Sequence, residues 1–408
     1  MAQKCTRHSF PTKTLEAFGV LEDMNSFRST LSAVKRTVHD IWDFARDITA
    51  IKPSRSSGGG GVLIIRIDAI GDYLLFRQCL QALRYAPIFA GKKITLCGNT
   101  AWQSLAEALD GDAFDVFIPV DRKKFHNDRA YNRHVLTTLR QSNFDYALQP
   151  TFSRERMGDS LVWASRAAER VGFACPAQNI TPLQRIMYNA CYTQLISPLA
   201  KFPFELHRNE EILKFFSVPP PHIPSFQTVF PEKLLESAVT KSIKNFLGLP
   251  VLFIGASSPH RCWPNEYFAE IAQFIYTELG KKIILGGGKA FEGAMQEIAR
   301  HCPGMTIPLP NTTLLDIAAL IAHAPLVVSN DSSGAHMGTT FNAPTVIISN
   351  GQHRGRFTPY PKQISTRTCT VCPEAIQHID YEYFYTLSPH SIAEVRPNAV
   401  KKAILQYL

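Results

Sequence analysis

Short apolar runs recur along the chain, each followed by a cluster of turn formers and then by a stretch whose apolar positions recur every three or four residues. Residues 326–348, LVVSNDSSGAHMGTTFNAPTVII, show the unit most plainly. The apolar run 326–329 reads as a buried parallel strand, and it stops at Asn330-Asp331-Ser332-Ser333-Gly334, residues that favour turns and helix N-caps. The spacing predicts a helix starting near Ser332, ended by Pro344, and a second buried strand over 345–348. The first N–H groups of such a helix have no intrahelical partners and carry the positive end of its dipole, which favours an anion there. Strand, turn, helix and strand form one βαβ unit, with a ligand site expected at the carboxyl end of the strand.

The same alternation extends in both directions. Residues 62–67 (VLIIRI) predict a first strand, followed by Asp68-Ala69-Ile70-Gly71-Asp72 and an amphipathic helix carrying Leu74, Leu75, Cys79, Leu80 and Leu83. Further strands are predicted over 94–97, 116–118 and 146–148, with helices over 102–109 and within the basic segment 122–140. Between 151 and 216 the pattern is irregular, and Pro219-Pro220-Pro221 with Pro224 and Pro231 marks a linker. Beyond it, strands are predicted over 251–254 and 282–285, and helices up to residue 279, over 290–300 and over 314–322. This order predicts an α/β protein with two Rossmann-like domains facing across a cleft and an N-terminal helical extension. The expected divisions are an extension and linker over 1–57, a first domain over 58–218, a linker over 219–249, a second domain over 250–387 and a C-terminal helix over 388–408.

Composition narrows the class. With 45% apolar and 19% charged residues among 408, the chain is an ordinary globular protein long enough for two cores. No apolar run reaches the 18 or so residues that span a bilayer, and the N-terminus, MAQKCTRHSFPTK, lacks the apolar stretch of a secretory signal. Nine scattered cysteines fit a reducing compartment, so a cytoplasmic location is expected. The excess of 43 Lys+Arg over 34 Asp+Glu, a net +9, favours an anionic partner. In the extension, Phe27, Leu31, Val34, Val38, Ile41 and Ile48 form an apolar stripe flanked by Lys35, Arg36 and Arg46. That stripe reads as a packing or oligomer surface or, alternatively, as a basic amphipathic helix lying on an anionic bilayer. Ser56-Ser57-Gly58-Gly59-Gly60-Gly61 reads as a flexible linker and lacks the Gly-Lys-Ser/Thr of a P-loop.

Candidate chemistry clusters just past the predicted strand ends. Asp72 is either an acid stabilised by a helix N-terminus or a carboxylate placed to take a proton from a hydroxyl. After the 251–254 strand, Ser257 and Ser258 with Arg261 and a Pro-started helix make an anion cradle, in which Arg261 would bind a phosphate bidentately. Arg122, Lys123 and Lys124 open a basic segment that reads either as a solvated face or as an anion site. Arg154, Arg156 and Asp159 follow another strand end. Asp110-Gly111-Asp112 reads as a turn rather than a metal motif, and Gly286-Gly287-Gly288 as an αβ turn without dinucleotide spacing. Cys369 and Cys372 form a CxxC without a second ligand pair; Cys302 or His378 would have to complete a zinc site, and ordinary thiols are the expectation.

Taken together, Ile67-Asp68-Ala69-Ile70-Gly71-Asp72, Gly255-Ala256-Ser257 with Arg261-Cys262-Trp263-Pro264, and Ser329-Asn330-Asp331-Ser332 with His336 resemble glycosyltransferase family 9, the ADP-heptose:lipopolysaccharide heptosyltransferases of GT-B fold. The matches run from about Val62 to Pro361. Where the family has Asp-Ser-Gly-Pro this chain has Asp-Ser-Ser-Gly, and Arg261 stands where Lys is usual. The resemblance implies an inverting transfer of a sugar, a heptose from ADP-heptose, to a lipid-linked or lipopolysaccharide-type glycan. It implies Asp72 as catalytic base, and Ser257, Ser258, Arg261, Asp331, Ser332, Ser333, Gly334 and His336 as donor contacts, with Glu292 near the ribose. The acceptor is expected at Arg122, Lys123, Lys124 and Arg154, and the C-terminal helix is expected to cross back to the first domain. No cofactor, metal or nucleic-acid partner is expected; peripheral contact with the cytoplasmic face of the inner membrane fits a lipid-linked acceptor. Alternatives are a catalytically altered sugar-nucleotide-binding protein of this fold, a transferase using another donor or a protein acceptor, and an oxidoreductase, which the absence of G-x-G-x-x-G disfavours.

Overall fold

The computed structural model describes residues 60–174, 179–199, 204–220, 228–237, 239–377 and 388–408, together with seven helical positions between 35 and 45. Two six-stranded sheets organise the chain. The first is built from β1 (Gly61–Arg66), β2 (Ile94–Asn99), β3 (Val116–Val120), β4 (Phe144–Gln149), β5 (Glu169–Phe173) and β6 (Gln194–Ile196). The second is built from β7 (Val251–Phe253), β8 (Ile283–Gly286), β9 (Thr306–Pro308), β10 (Val327–Asn330), β11 (Thr345–Ile348) and β12 (Thr368–Val371). Every pairing within them is parallel. The strand orders are β3-β2-β1-β4-β5-β6 and β12-β11-β10-β7-β8-β9, the same doubly wound order used twice. In each sheet the order reverses between the first and fourth strands, and loops leaving the carboxyl ends there diverge to leave a crevice.

The central strands are the sequence's near-continuous apolar runs because both of their faces are covered by helices; Val62 to Ile65 and Val327 to Val328 are fully buried. The segment 58–61 differs from the expected linker at its end. Gly61 opens β1, and the Gly60 N–H donates to Asp145 Oδ1 at 3.0 Å. Residues 151–216 are more regular than their pattern: β5 and β6 extend the sheet, and helices Arg156–Ser165, Pro182–Asn189 and Glu205–Phe215 cover it. Asp110 is also more than a turn. Fully buried at the end of helix Gln103–Asp110, it takes hydrogen bonds from Arg77 (3.0 and 2.8 Å), Gln81 (2.7 Å) and Tyr73.

The two halves share an interior. One apolar cluster runs from Val62 and Leu80 through Phe230 and Ile243 to Val251 and Ile321. Helix Ile70–Arg84 meets helix Ser333–Thr340 so closely that a Cβ on Gly71 would lie 2.4 Å from His336 Cδ2, which only glycine avoids. Arg356, on the loop after β11, reaches Glu205 Oε2 (2.7 Å) and Ser153 Oγ (2.8 Å) in the first domain. The terminal helix, Pro397–Ile404, does not return to the first domain. It packs in the apolar cluster of the second sheet with Trp263 and Phe268, and Lys401 pairs with Glu270 at 2.6 Å. Of the extension, Phe44 packs edge-on against Tyr188 (5.1 Å), whereas Val38, Ile41 and Trp42 are exposed. The rest of the predicted stripe, including Phe27, Leu31, Val34 and Ile48, lies outside the described residues.

Candidate active site

Both reversal points open onto the interface between the domains, and a cavity lies at each. The first, about 470 Å3, is walled by loop residues Gly255, Ala256, Ser257 and Arg261 after β7, by Asp331, Ser332, Ser333 and His336 after β10, and by Gly71 and Asp72 from the first domain. Asn330 ties the two loops of the second sheet, its amide donating to Ile254 O (2.7 Å) and accepting from Trp263 N (3.1 Å). Helix Ser333–Thr340 starts one residue past the predicted position. No side chain caps it: Ser332, its N-cap residue, holds a buried Oγ with no hydrogen-bond partner. Arg261 lies beside it, donating to Asp331 O (3.1 Å) and to Ser257 Oγ, while its Nε is buried and unpartnered. Thus the cation of this cavity is engaged by a carbonyl and a hydroxyl, not by a carboxylate. An uncapped helix N-terminus, a hydroxyl without a partner and a guanidinium without a carboxylate partner together offer donors suited to an anion.

Other predicted donor residues are sorted by the geometry. Asp331 lines the cavity, and its Oδ2 accepts from Ser349 Oγ (3.0 Å) and Thr358 Oγ1 (2.9 Å), which anchors the loop. His336 contacts Tyr360 OH through Nδ1, and burial holds its imidazole below the ordinary pKa against the opposing pull of Asp331 and Asp72, keeping it neutral at neutral pH. Gly334 is not on the wall. A Cβ there would fall 2.3 Å from the Phe253 ring, so glycine lets the helix lie on β7. Ser258 is also off the wall, its carbonyl accepting from Arg261 N and Cys262 Sγ. Glu292 is exposed at the start of helix Glu292–His301, and its neighbour Phe291 lines the cavity instead.

The second cavity, about 550 Å3, lies at the reversal point of the first sheet. Asp68 and Asp72 after β1, Asn99 after β2, Arg122 after β3 and Thr151, Ser153 and Glu155 after β4 face His353 and Arg356 from the second domain. Asp72 lines both cavities, in the first turn of helix Ile70–Arg84. Buried Arg66 fixes this turn, donating to Asp68 Oδ1 (3.0 Å) and to the Asp72 carbonyl (3.2 Å). Burial pushes the Asp68 carboxyl up to about 7; Arg66 opposes the shift, and Asp72 and Glu205 add to it. Asn99 holds the Asp68 carbonyl at 2.9 Å.

Of the expected acceptor residues, Arg122 lines this cavity, paired with Glu155. Lys123 and Lys124 are exposed and line neither cavity. Arg154 is fully buried within the first domain, against Tyr192 (4.4 Å), Asn189 and Asp159, and does not face the cleft. Asp159 is buried with it, its carboxyl raised to about 6 by burial. Sequence reasoning missed Asn99, Gln352, His353 and Arg356, and gave Asp68 no role of its own. The signal for the last three loop residues was their place just past the 345–348 apolar run. Cys369 and Cys372 lie at β12, where Arg354 donates to Cys372 Sγ (3.4 Å), whereas Cys302 donates to Ala269 O elsewhere. His378 lies outside the described residues. Among the described residues, no group of three or more His, Cys, Asp or Glu is placed to hold a metal ion.

Residues 227–376, the segment that carries the first cavity's anion site, match the model of glycosyltransferase family 9 (heptosyltransferase). A putative glycosyltransferase of Haemophilus influenzae is 23% identical over 70% of this chain and 81% of its own length. Lipooligosaccharide heptosyltransferase 2 of Campylobacter jejuni is 28% identical over 31% of this chain and 40% of its own. Among solved structures, the family 9 glycosyl transferase of Veillonella parvula superposes with a TM-score of 0.63 over 87% of this chain and 99% of that one, at 18% identity. The Escherichia coli heptosyltransferase WaaC with ADP-2-deoxy-2-fluoro heptose gives 0.61 over 85% and 99%, at 17% identity. The two facing sheets therefore have the GT-B architecture, and residues 227–376 are similar in sequence to glycosyltransferase family 9.

Proposed function

We propose that this protein is an inverting glycosyltransferase that moves a heptose from ADP-heptose to a lipopolysaccharide-type glycan. The observation that carries the mechanism is the position of Asp72 on the wall common to both cavities. In this reading the nucleotide diphosphate occupies the first cavity, with Arg261, Ser332 Oγ and the N-terminus of helix Ser333–Thr340 around its charge. The acceptor occupies the second cavity. Asp72 takes the proton of an acceptor hydroxyl as that oxygen bonds to the anomeric carbon from the face opposite the diphosphate, which leaves with the bonding pair. The anion site stabilises the charge on the leaving group, and the packed domains exclude water that would hydrolyse the donor. The structural similarity to the heptosyltransferase WaaC with ADP-2-deoxy-2-fluoro heptose supports an adenine nucleotide as the donor's carrier.

Asp72→Asn keeps the shape and removes the base. Transfer is expected to fall by about two orders of magnitude or more, while calorimetric ADP affinity stays within a few-fold. Near wild-type transfer would remove Asp72 from the base role, and loss of ADP binding would make it a binding residue.

The reading includes work at the cytoplasmic face of the inner membrane as a peripheral protein. Exposed Val38, Ile41 and Trp42, on a helix carrying exposed Lys35, and the net charge of +9 support it. Binding to anionic vesicles in a flotation assay is expected to weaken as salt rises; equal binding to neutral vesicles, or none to either, would oppose it. Among the described residues no helix is long and apolar enough to cross a membrane.

A further inference from the structure

The charges around the second cavity are arranged unlike those of an anion site. Its wall carries three carboxyl groups, Asp68, Asp72 and Glu155, against two guanidinium groups, Arg122 and Arg356. Both guanidinium groups are already matched. Arg122 pairs with Glu155 through both terminal nitrogens and also donates to Ile67 O (2.9 Å). Arg356 pairs with Glu205 at 2.7 Å and donates to Ser153 Oγ. A phosphate or carboxylate entering here would meet guanidinium groups whose charge is already matched and would approach Asp68 and Asp72, at a cost in repulsion. The remaining polar wall groups are the neutral side chains Asn99, Thr151, Ser153 and Asn179 and the imidazole of His353, beside the apolar Ala69 and Phe357.

We propose that the second cavity selects an uncharged, hydroxyl-bearing sugar ring, and that Asp68 contacts the hydroxyls of that ring as a specificity-determining residue. The inference rests on the reading of this cavity as the acceptor site and adds the charge class of the reacting ring. Asp68 suits the role by geometry. Its carboxyl is held on one side by Arg66 at 3.0 Å, with Thr151 Oγ1 3.4 Å from Oδ2, and it stays partly open to the cavity beside Asp72. Carboxyl groups accept from the vicinal hydroxyls of a sugar ring, and a group whose pKa is near 7 also donates for part of the time at neutral pH.

The test uses the full chain saturated with ADP and three ring probes: methyl α-mannopyranoside, glucose 6-phosphate and a sugar acid of the ulosonic class. Saturation-transfer NMR is expected to detect the neutral glycoside as the best binder, with affinity changing less than about twofold between low and high salt because no net charge is neutralised. Asp68→Asn is expected to weaken that binding about five- to tenfold, the loss of one good hydrogen bond, with ADP affinity unchanged. Glu155→Gln, which frees Arg122, is expected to shift preference toward glucose 6-phosphate. Tighter binding of either charged probe by the wild-type protein, binding of no ring at all, or neutral-ring binding unmoved by Asp68→Asn would overturn the proposal. Failure of the wild-type protein to bind ADP would instead count against the donor reading, because ADP and ring binding are read separately.

Discussion

The two reversal points share a strand order but are finished in opposite ways. At the second sheet, the wall leaves its polar groups open: Arg261 Nε and Ser332 Oγ are buried without partners, and the helix behind them has no side-chain cap. At the first sheet, the cations are closed off by carboxylates, Arg122 by Glu155 and Arg356 by Glu205. The difference teaches that residue type near a strand end does not define an anion site. An arginine binds a ligand strongly when its charge has no other carboxylate partner, and serves as a strut when it does.

The comparison breaks most directly at Arg261. Arg261→Ala is expected to weaken ADP binding by about 1.5–3 kcal/mol, the range for losing a charge-assisted hydrogen bond, whereas Arg122→Ala should leave ADP affinity near wild type. Equal effects of the two substitutions in calorimetry would erase the distinction. A smaller effect is expected from Gly334→Ala, which touches no charge. Its Cβ would enter the Phe253 ring and push the helix N-terminus off its seat, lowering ADP affinity roughly tenfold together with the melting temperature. An unchanged affinity would mean that the helix terminus contributes little.

The smallest effect concerns the first sheet and is read in stability. Asp68 has a folded pKa raised from 3.8 to about 7, so between those values the folded state holds a proton that the unfolded state has released. Stability is then fully present below about pH 4 and is lost as pH rises through 7. Asp68→Asn removes this dependence, so its melting temperature should exceed that of the wild type most clearly above pH 7, with the gap closing toward pH 4. A gap that is constant with pH would show that Asp68 ionises normally.

Much of the architecture was legible because buried parallel strands are apolar on both faces. Residues 345–348 and helix Leu314–Ala322 fell where their patterns put them, the helix with a Thr313–Asp316 capping box at its start. The strands that escaped notice, β5, β6, β9 and β12, are three to five residues long and only partly buried, so their residues carry little apolar signal. In the site, loops past strand ends were readable, and Asp72, Ser257, Arg261, Asp331, Ser332, Ser333 and His336 all reach a cavity wall. What could not be read was pairing across long sequence distances. Arg154 and Arg122 look alike in sequence, yet one is buried against Tyr192 and Asp159, and the other crosses 33 residues to reach Glu155. Arg356 finds Glu205 across 151 residues.

The bare Cα of Gly71 against the His336 ring makes position 71 a spacer of zero thickness between the domains. Asp72 is its immediate neighbour, so the spacing of the domains is gauged beside the carboxylate proposed as the base. A single methyl added there would meet the His336 ring and act as a wedge that changes no charge yet pushes the two halves apart. Gly71→Ala is therefore a handle on the spacing of the two domains that needs neither a crosslink nor a truncated chain.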